Sequence, residues 1–313
     1  MRHLQRALAG AGLAATPSDG GLLEAAPDPA VPARLEPAPA LEGDRVTTRA
    51  IVGDPLPGFA AFLDGIQRSV VASYVDGVVP VVHGTVAAVV RRRQDRRLET
   101  WRSALVESAA YLPLAHAGAA VTAALAREAV PIHDTAGAGT AAAAGHPQEW
   151  LAQARQAVQR RREELEGTLA TAWCAGEDAP LYVDGGIGAY AEPSRSALAI
   201  GVVKSHRTLY LGADGVAMLA ALPPGARTTA FAVATRGRTR VASWYLRLHA
   251  DADPLAGLVR VEVGEAAFTA ERADLVSRGI LAERTPVALP DPRWRVMAYG
   301  IWDCEEYLRA VAG

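Results

Sequence analysis

Two aspartates stand where strands could present them to a substrate. Asp64 in "FAAFLDGIQRS" and Asp184 in "LYVDGGIGAY" each follow an apolar run and precede glycine. A carboxylate at the end of a hydrophobic strand sits on a rigid element, which fixes it in space. Two such strands side by side would bring Asp64 and Asp184 together, and carboxylates that close repel unless a cation lies between them. Hard divalent ions such as Mg²⁺ or Mn²⁺ suit oxygen ligands. In phosphodiester hydrolysis, two ions about 4 Å apart activate the attacking water and stabilise the leaving oxygen, a task for three or four acidic ligands. The competing reading is that Asp-Gly forms a turn. For any single Asp-Gly that reading leads, and Asp76, between two strand patterns and followed by Gly77, is assigned to a turn.

A third acid is available from "QRRREELEGTLATAW", which carries Glu163, Glu164 and Glu166. At 100° per residue Glu166 lies nearest the apolar stripe of a helix and Glu163 points to solvent. Glu166 is therefore the first choice, Glu164 the second, and Glu163 a helix-supporting ion-pair partner. Lys204 is the only lysine in the chain; the other 31 of its 32 basic residues are arginine. A lone ammonium ending the strand "AIGVVKSH" suits charge stabilisation of a phosphate, with chance retention on a surface strand the equal alternative. "LVRVEV" puts Arg260 and Glu262 on one strand face, where an ion pair is favoured over a phosphate contact. The arginines of "RRRQDRR" (91–97) and Arg160 to Arg162 could line a nucleic-acid groove, although solvated charge runs are commoner. The histidines show neither HxH nor HExxH spacing, which disfavours zinc. The absence of GxxxxGK[ST] and GxSxG removes P-loop hydrolysis and the α/β-hydrolase elbow.

The elements that must position these residues follow from pattern. Residues 14–48, dense in Pro, Ala and acids, read as an arm after a short N-terminal helix. From residue 59 the chain reads as strand, turn, strand, a second turn at Asp76 and Gly77, and a β-branched strand, in an antiparallel meander. Residues 98–129 read as helical from their Ala, Leu and Glu content, and 133–150 as a small-residue loop. Residues 148–175 predict the strongest helix, with Leu151, Ala154, Val158, Leu165, Leu169 and Ala172 on one face. Strand patterns return in "APLYVDGG", "SALAIGVVKSH", "RTLYLGA", "ARTTAFAVAT", "VASWYLRLHA" and "GLVRVEVG", and "CEEYLRAVA" closes the chain as a helix. This alternation implies an α/β arrangement with a mixed sheet.

At 313 residues, half of them hydrophobic, the chain can bury a substantial core. Its formal charge of −2 gives no basic field, so nucleic-acid contacts would depend on local arginines. Two distant cysteines, Cys174 and Cys304, argue against a disulfide framework. No apolar stretch approaches the roughly 20 residues of a membrane helix. The expectation is a soluble, cytoplasmic protein.

The ordered set "FLDGIQ", a Glu-bearing helix, "LYVDGG", "GVVKS", "SWYLRL" and "LVRVEV" resembles the NurA family of nucleases over roughly residues 57–310. The resemblance implies an RNase H-like mixed sheet flanked by helices, with a helical insertion, in a domain spanning 49–313 after an N-terminal helix and arm over 1–48. It implies a DNA nuclease dependent on Mn²⁺ or Mg²⁺, a homodimer, working with a HerA-type hexameric translocase in DNA end processing or phage defence. Asp64, Glu166 (or Glu164) and Asp184 match the metal ligands, and Lys204 matches the lysine of the following strand. Ile66 and Gly186 stand where the family usually has Ser. The C-terminal "AYGIWDCEEYLRA" lacks the expected His, leaving Tyr307 or Asp303 as substitutes. The rival readings are a catalytically weak subunit that binds DNA and the translocase, and a small-molecule phosphoryl-transfer enzyme, the latter disfavoured by the lack of DxD spacing.

Overall fold

The computed structural model describes residue 4 and residues 6–8, 15–17, 32–95, 97–136, 145–235, 237–250, 253–284 and 298–312. Most of the N-terminal helix expectation, the stretch 18–31 of the arm and the stretch 137–144 of the small-residue loop lie outside them. In chain order the strands are β1 (Ala15–Pro17), β2 (Arg34–Leu35), β3 (Thr48–Ala50), β4 (Ala61–Val75), β5 (Val79–Gln94), β6 (Arg97–Thr100), β7 (Leu105–Leu112) and β8 (Ile132–Asp134). They continue with β9 (Leu181–Asp184), β10 (Ala199–Val203), β11 (Thr208–Leu209), β12 (Ala226–Thr228), β13 (Phe231–Val233), β14 (Val241–Arg247) and β15 (Leu258–Gly264). The helices are α1 (Leu114–Ala117), α2 (Ala119–Arg127), α3 (Pro147–Gly176), α4 (Ala213–Ala220), α5 (Ala270–Glu283) and α6 (Tyr299–Ala312).

Among the described residues, thirteen strands form one sheet whose main path is β3-β12-β14-β15-β10-β9-β4-β5-β7-β8. The sheet is mixed: β9 runs parallel to both β4 and β10, whereas β4 and β5 form an antiparallel hairpin. Asp76 (φ 48°) and Gly77 (φ 74°) close that hairpin in the left-handed conformation a two-residue turn requires. One face of the sheet packs on α3 through Leu63, Val158, Leu165, Leu169 and Val183. The other packs on α5 and α6 through Phe62, Tyr182, Ile280, Ile301 and Leu308. Helices on both sides explain why β4 and β5 carry near-continuous apolar runs where a one-sided sheet would alternate.

α3 begins one residue before the sequence expectation, with the His146 ring accepting from the Gln148 amide at 3.2 Å and Pro147 in the first turn. Its stripe is buried as periodicity predicts at Ala154, Val158, Leu165 and Leu169, with Leu151 and Ala172 partly so.

Two expectations are corrected. Residues 98–129 are not helical throughout: β6 and β7 occupy most of 97–112, and only Leu114–Ala117 and Ala119–Arg127 are helices. The free edge of β5 offers a ladder from Ala88↔Leu105 to Val82↔Tyr111, and that tertiary pairing overrides the helix propensity of Ala, Leu and Glu. Nor do Asp64 and Gly65 make a turn; β4 runs unbroken from Ala61 to Val75. The arm also contributes structure where it is described. β1 pairs with the far end of β4, β2 with β11, and β3 with β12.

Candidate active site

The parallel ladder between β4 and β9 pairs Ala61 with Leu181, Phe62 with Tyr182 and Leu63 with Val183, then stops. Asp64 and Asp184 are the next residues on the two strands. By strand alternation they project to the same face as Phe62 and Tyr182. Beyond them the sheet splits. Gly185, at φ 119°, takes the chain out of β9 with its amide on the Val202 carbonyl at 3.0 Å, while β4 continues without that neighbour. The acids therefore sit at the fork, each on a strand locked by its neighbours.

Asp64 is 5% exposed, and its Oδ1 accepts from the Gly65 amide at 2.7 Å. Burial pushes its carboxyl well above the usual range, and the Asp184 charge pushes it further, with Lys204 opposing and Glu166 and Glu305 adding smaller repulsions. Lys204 reaches across from the end of β10 and places Nζ 2.7 Å from Asp184 Oδ2. The chain's single ammonium thus lies against one of the two strand acids.

Glu166 arrives from α3, on the opposite face. It is 3% exposed, and it lies over Gly65, where even a methyl group would collide with its Oε1. This is the physical reason for glycine within β4: the absent side chain leaves room for the helical carboxylate. Arg162, one turn earlier on α3, pairs with Oε1, and the Tyr190 hydroxyl donates to Oε2 at 3.1 Å. Burial raises the Glu166 carboxyl to about 7 despite these two partners. Glu164 points elsewhere, exposed and paired with Arg161 at 2.6 Å, and Glu163 accepts from Gln159 at 3.0 Å. Of the three helical acids only Glu166 packs against the sheet beside the fork, over Gly65.

A neighbouring element holds the loop that follows Asp184. Glu262 on β15 accepts from the Ile187 amide at 2.8 Å and the Gly188 amide at 3.4 Å, while Arg260 on the same face donates to it at 2.5 Å. The same-face pair expected from "LVRVEV" exists, with the added task of clamping that loop. A side chain at Gly186 would press on Glu262, its Cβ 2.9 Å from Oε2.

At the C-terminus, Asp303 bonds Arg91 at 2.5 Å, and the Arg91 guanidinium lies 4.7 Å from the Tyr307 ring centroid. Arg92 and Arg93 pair with Glu177 and Glu283, and Arg161 with Glu107. Most of the arginine clusters singled out in the sequence are thus internal ion pairs instead of an open basic groove. Sequence reasoning offered Arg162 to a nucleic-acid groove and not to Glu166, and it did not single out Tyr190 or Glu305, whose charge bears on Asp64. Only Arg162 carried a usable signal, its i,i+4 spacing from Glu166.

Among the described residues, no group of three or more His, Cys, Asp or Glu side chains is arranged to hold a metal ion. The donor chemistry at the fork nonetheless fits a hard cation: two carboxylates on adjacent strands, one buried and under repulsion, present oxygen ligands. Glu166, on the other face, is engaged by Arg162 and Tyr190. No helix among the described residues is long and apolar enough to cross a membrane.

A large mixed sheet between helices, with an acid on each of two adjacent parallel strands and a third on the covering helix, makes this a mixed α/β protein. Comparison with solved structures agrees. The chain is similar to the NurA nuclease from Sulfolobus solfataricus, with a TM-score of 0.50, 10% identity, and 83% of this chain and 81% of that chain covered. At that identity the likeness shows the fold, which is NurA-like. No protein-family model matches the sequence, and no curated protein does.

Proposed function

We propose that this protein is a metal-dependent deoxyribonuclease that hydrolyses phosphodiester bonds at the fork between β4 and β9. The observation that carries the reading is buried, repelled Asp64 one register step past the last β4–β9 pair, beside Asp184 with Lys204 on its carboxylate. Asp64 and Asp184 would hold Mn²⁺ or Mg²⁺, and Glu166 would join them by giving up Arg162. When bound, a divalent cation supplies positive charge at the scissile phosphate and makes the attacking water more acidic.

The chain's own groups do the rest. Lys204 exchanges its pairing with Asp184 for the phosphate, where charge builds in the transition state. Arg162, released from Glu166, offers a second cation within the same fork. Glu262 fixes the loop after Asp184 so that the acid stays aimed. The fold likeness to a nuclease supports this reading, as does the ordered set of motifs.

By the same resemblance the protein would act as a homodimer with a HerA-type translocase, in DNA end processing or phage defence. The alternative is a binding subunit that contributes little hydrolysis. It draws support from the engagement of Glu166 by Arg162 and Tyr190.

Incubation of plasmid and single-stranded DNA with the protein and Mn²⁺ separates the two. Cleavage by the wild type, abolished by Asp184→Ala and by chelation, is the expected result. No cleavage, even with the translocase added, would favour the binding subunit.

A further inference from the structure

The sheet face onto which Asp64 and Asp184 project is covered in two blocks. In one, α5 and α6 bury Phe62, Ala87, Val89 and Tyr182. In the other, Leu4, Leu8 and α2 bury Val81, Ala110 and Leu112. Between the blocks a single row crosses three strands in register: Arg68 on β4, Thr85 on β5 and Ser108 on β7. Arg68 and Ser108 are exposed, whereas Ala87 and Ala110, one row to either side, are 0% exposed.

The row belongs to the same face and the same strand as the fork. Arg68 lies two steps of alternation beyond Asp64 on unbroken β4, about 13 Å along the strand. Gln67, between them in sequence, turns to the opposite face and meets Arg162 of α3 at 3.1 Å. Past the fork, β4 has β5 on one flank. Among the described residues it has no ladder partner on the other until β1 joins at Ser73. The row therefore opens on the flank where the fork lies.

Its charge is uncompensated. No described acid lies within ion-pair distance of Arg68. Its neighbours in the row are hydroxyls, with Thr85 Oγ1 and Ser108 Oγ 2.9 Å apart. In the next row, burial lowers the His83 ring to about 4 and the Arg68 charge adds to that effect, so the ring is neutral near pH 7. Arg160 is likewise exposed and without an ion pair, but it lies on α3, behind the sheet.

We infer that the Arg68–Thr85–Ser108 row is a phosphate-binding subsite for single-stranded DNA whose backbone continues to the acids at the fork. This rests on the nuclease reading for the identity of the strand. Arg68 supplies paired N–H donors to phosphate oxygens, and the hydroxyls add neutral hydrogen bonds. Neighbouring rows on one face are about 7 Å apart, so a gap of one row admits an extended strand and is too narrow for a duplex. Contacts of this kind position DNA and carry no base readout.

The test uses a fluorescein-labelled single-stranded oligonucleotide and the full chain without divalent cation, read by anisotropy over a range of salt. Arg68→Ala should weaken binding roughly tenfold and lower the slope of log affinity against log salt by about 0.7. Arg68→Lys should restore most of the slope. Thr85→Val should weaken binding about threefold with the slope unchanged, because a hydroxyl displaces no counterion. Arg160→Ala should change neither quantity.

If Arg68→Ala leaves affinity and slope as in the wild type, or if Arg160→Ala loses as much, the inference is wrong, whether or not DNA is cut. Absence of binding by the wild type also overturns it, as does a blunt duplex that binds with the same dependence on Arg68. If the Arg68 dependence is present for the single strand but no cleavage occurs with Mn²⁺, the subsite stands and the nuclease reading falls.

Discussion

Two clusters of buried charge in this molecule use the same side-chain types to opposite ends. Under α5, Arg227 is 0% exposed, with Nε on Asp274 at 2.6 Å, Nη1 and Nη2 on Glu42 at 2.8 and 3.1 Å, and Nη1 also on the Thr228 carbonyl at 2.9 Å. Arg49 adds a second cation to Glu42 at 2.9 Å. Burial alone would raise the Glu42 carboxyl, yet Arg227 and the Ala230 amide hold it below its usual range. At the fork, Asp64, Asp184 and Glu166 have Lys204 and Arg162 between them, and both Asp64 and Glu166 are raised. A balanced cluster locks the arm to the sheet. The unbalanced one is where the proposed cation would add the missing positive charge, and perturbed titratable groups of this kind commonly mark functional sites.

The sharpest way to break this contrast is to remove one acid at the fork. Asp184→Ala should lower Mn²⁺-dependent cleavage at least about a thousandfold, an effect of ~4 kcal/mol on the barrier, while the urea midpoint stays within the range of a surface change. A variant that still cuts would place the chemistry elsewhere. Arg227→Ala should behave in the reverse manner. It strands Glu42 and Asp274 in the interior and should cost about 3–5 kcal/mol of stability by urea unfolding, with residual folded protein as active per molecule as wild type.

Cation binding gives a third comparison. Mn²⁺ at 100 times its dissociation constant should stabilise the wild type by about 2.7 kcal/mol in thermal unfolding, and Asp64→Asn should lose most of that gain. The same substitution without metal should raise stability, because it deletes a repelled charge. Arg227→Met should keep the metal response in full, and equal loss in both variants would erase the distinction between the clusters.

The smallest effect concerns pH. A folded-state value of about 7 for Glu166, against 4.5 for the ordinary group, means the fold favours the protonated form. Its contribution is fully present below 4.5 and is lost as pH rises through about 7. In metal-free urea titrations between these limits, Glu166→Gln should flatten the decline in stability, and an unchanged slope would assign that decline to other groups.

Much of this was legible in the sequence, and the reasons are local. The strands bearing Asp64 and Asp184 announce themselves as apolar runs, and α3 through its period, which also picks Glu166 over Glu164 as the inward acid. Lys204 stands out because the chain has no other lysine. What stayed hidden depends on partners distant along the chain. Gly65 looks like a turn residue until Glu166 is seen to fill its place. The segment 97–112 is strand because β5 has a free edge there, a fact absent from its own composition. Glu42, within a proline-rich arm, gives no sign that its partner is Arg227, separated from it by 185 positions.

The pairing of Lys204 with Asp184 has a practical corollary. Apart from the chain terminus, this protein offers amine-reactive reagents a single target, and that target sits at the fork. While the ammonium is engaged by a carboxylate it is a poor nucleophile toward acylating agents. Once a phosphate or a cation rearranges that contact, the rate of acylation changes, and the mass of one peptide records the event.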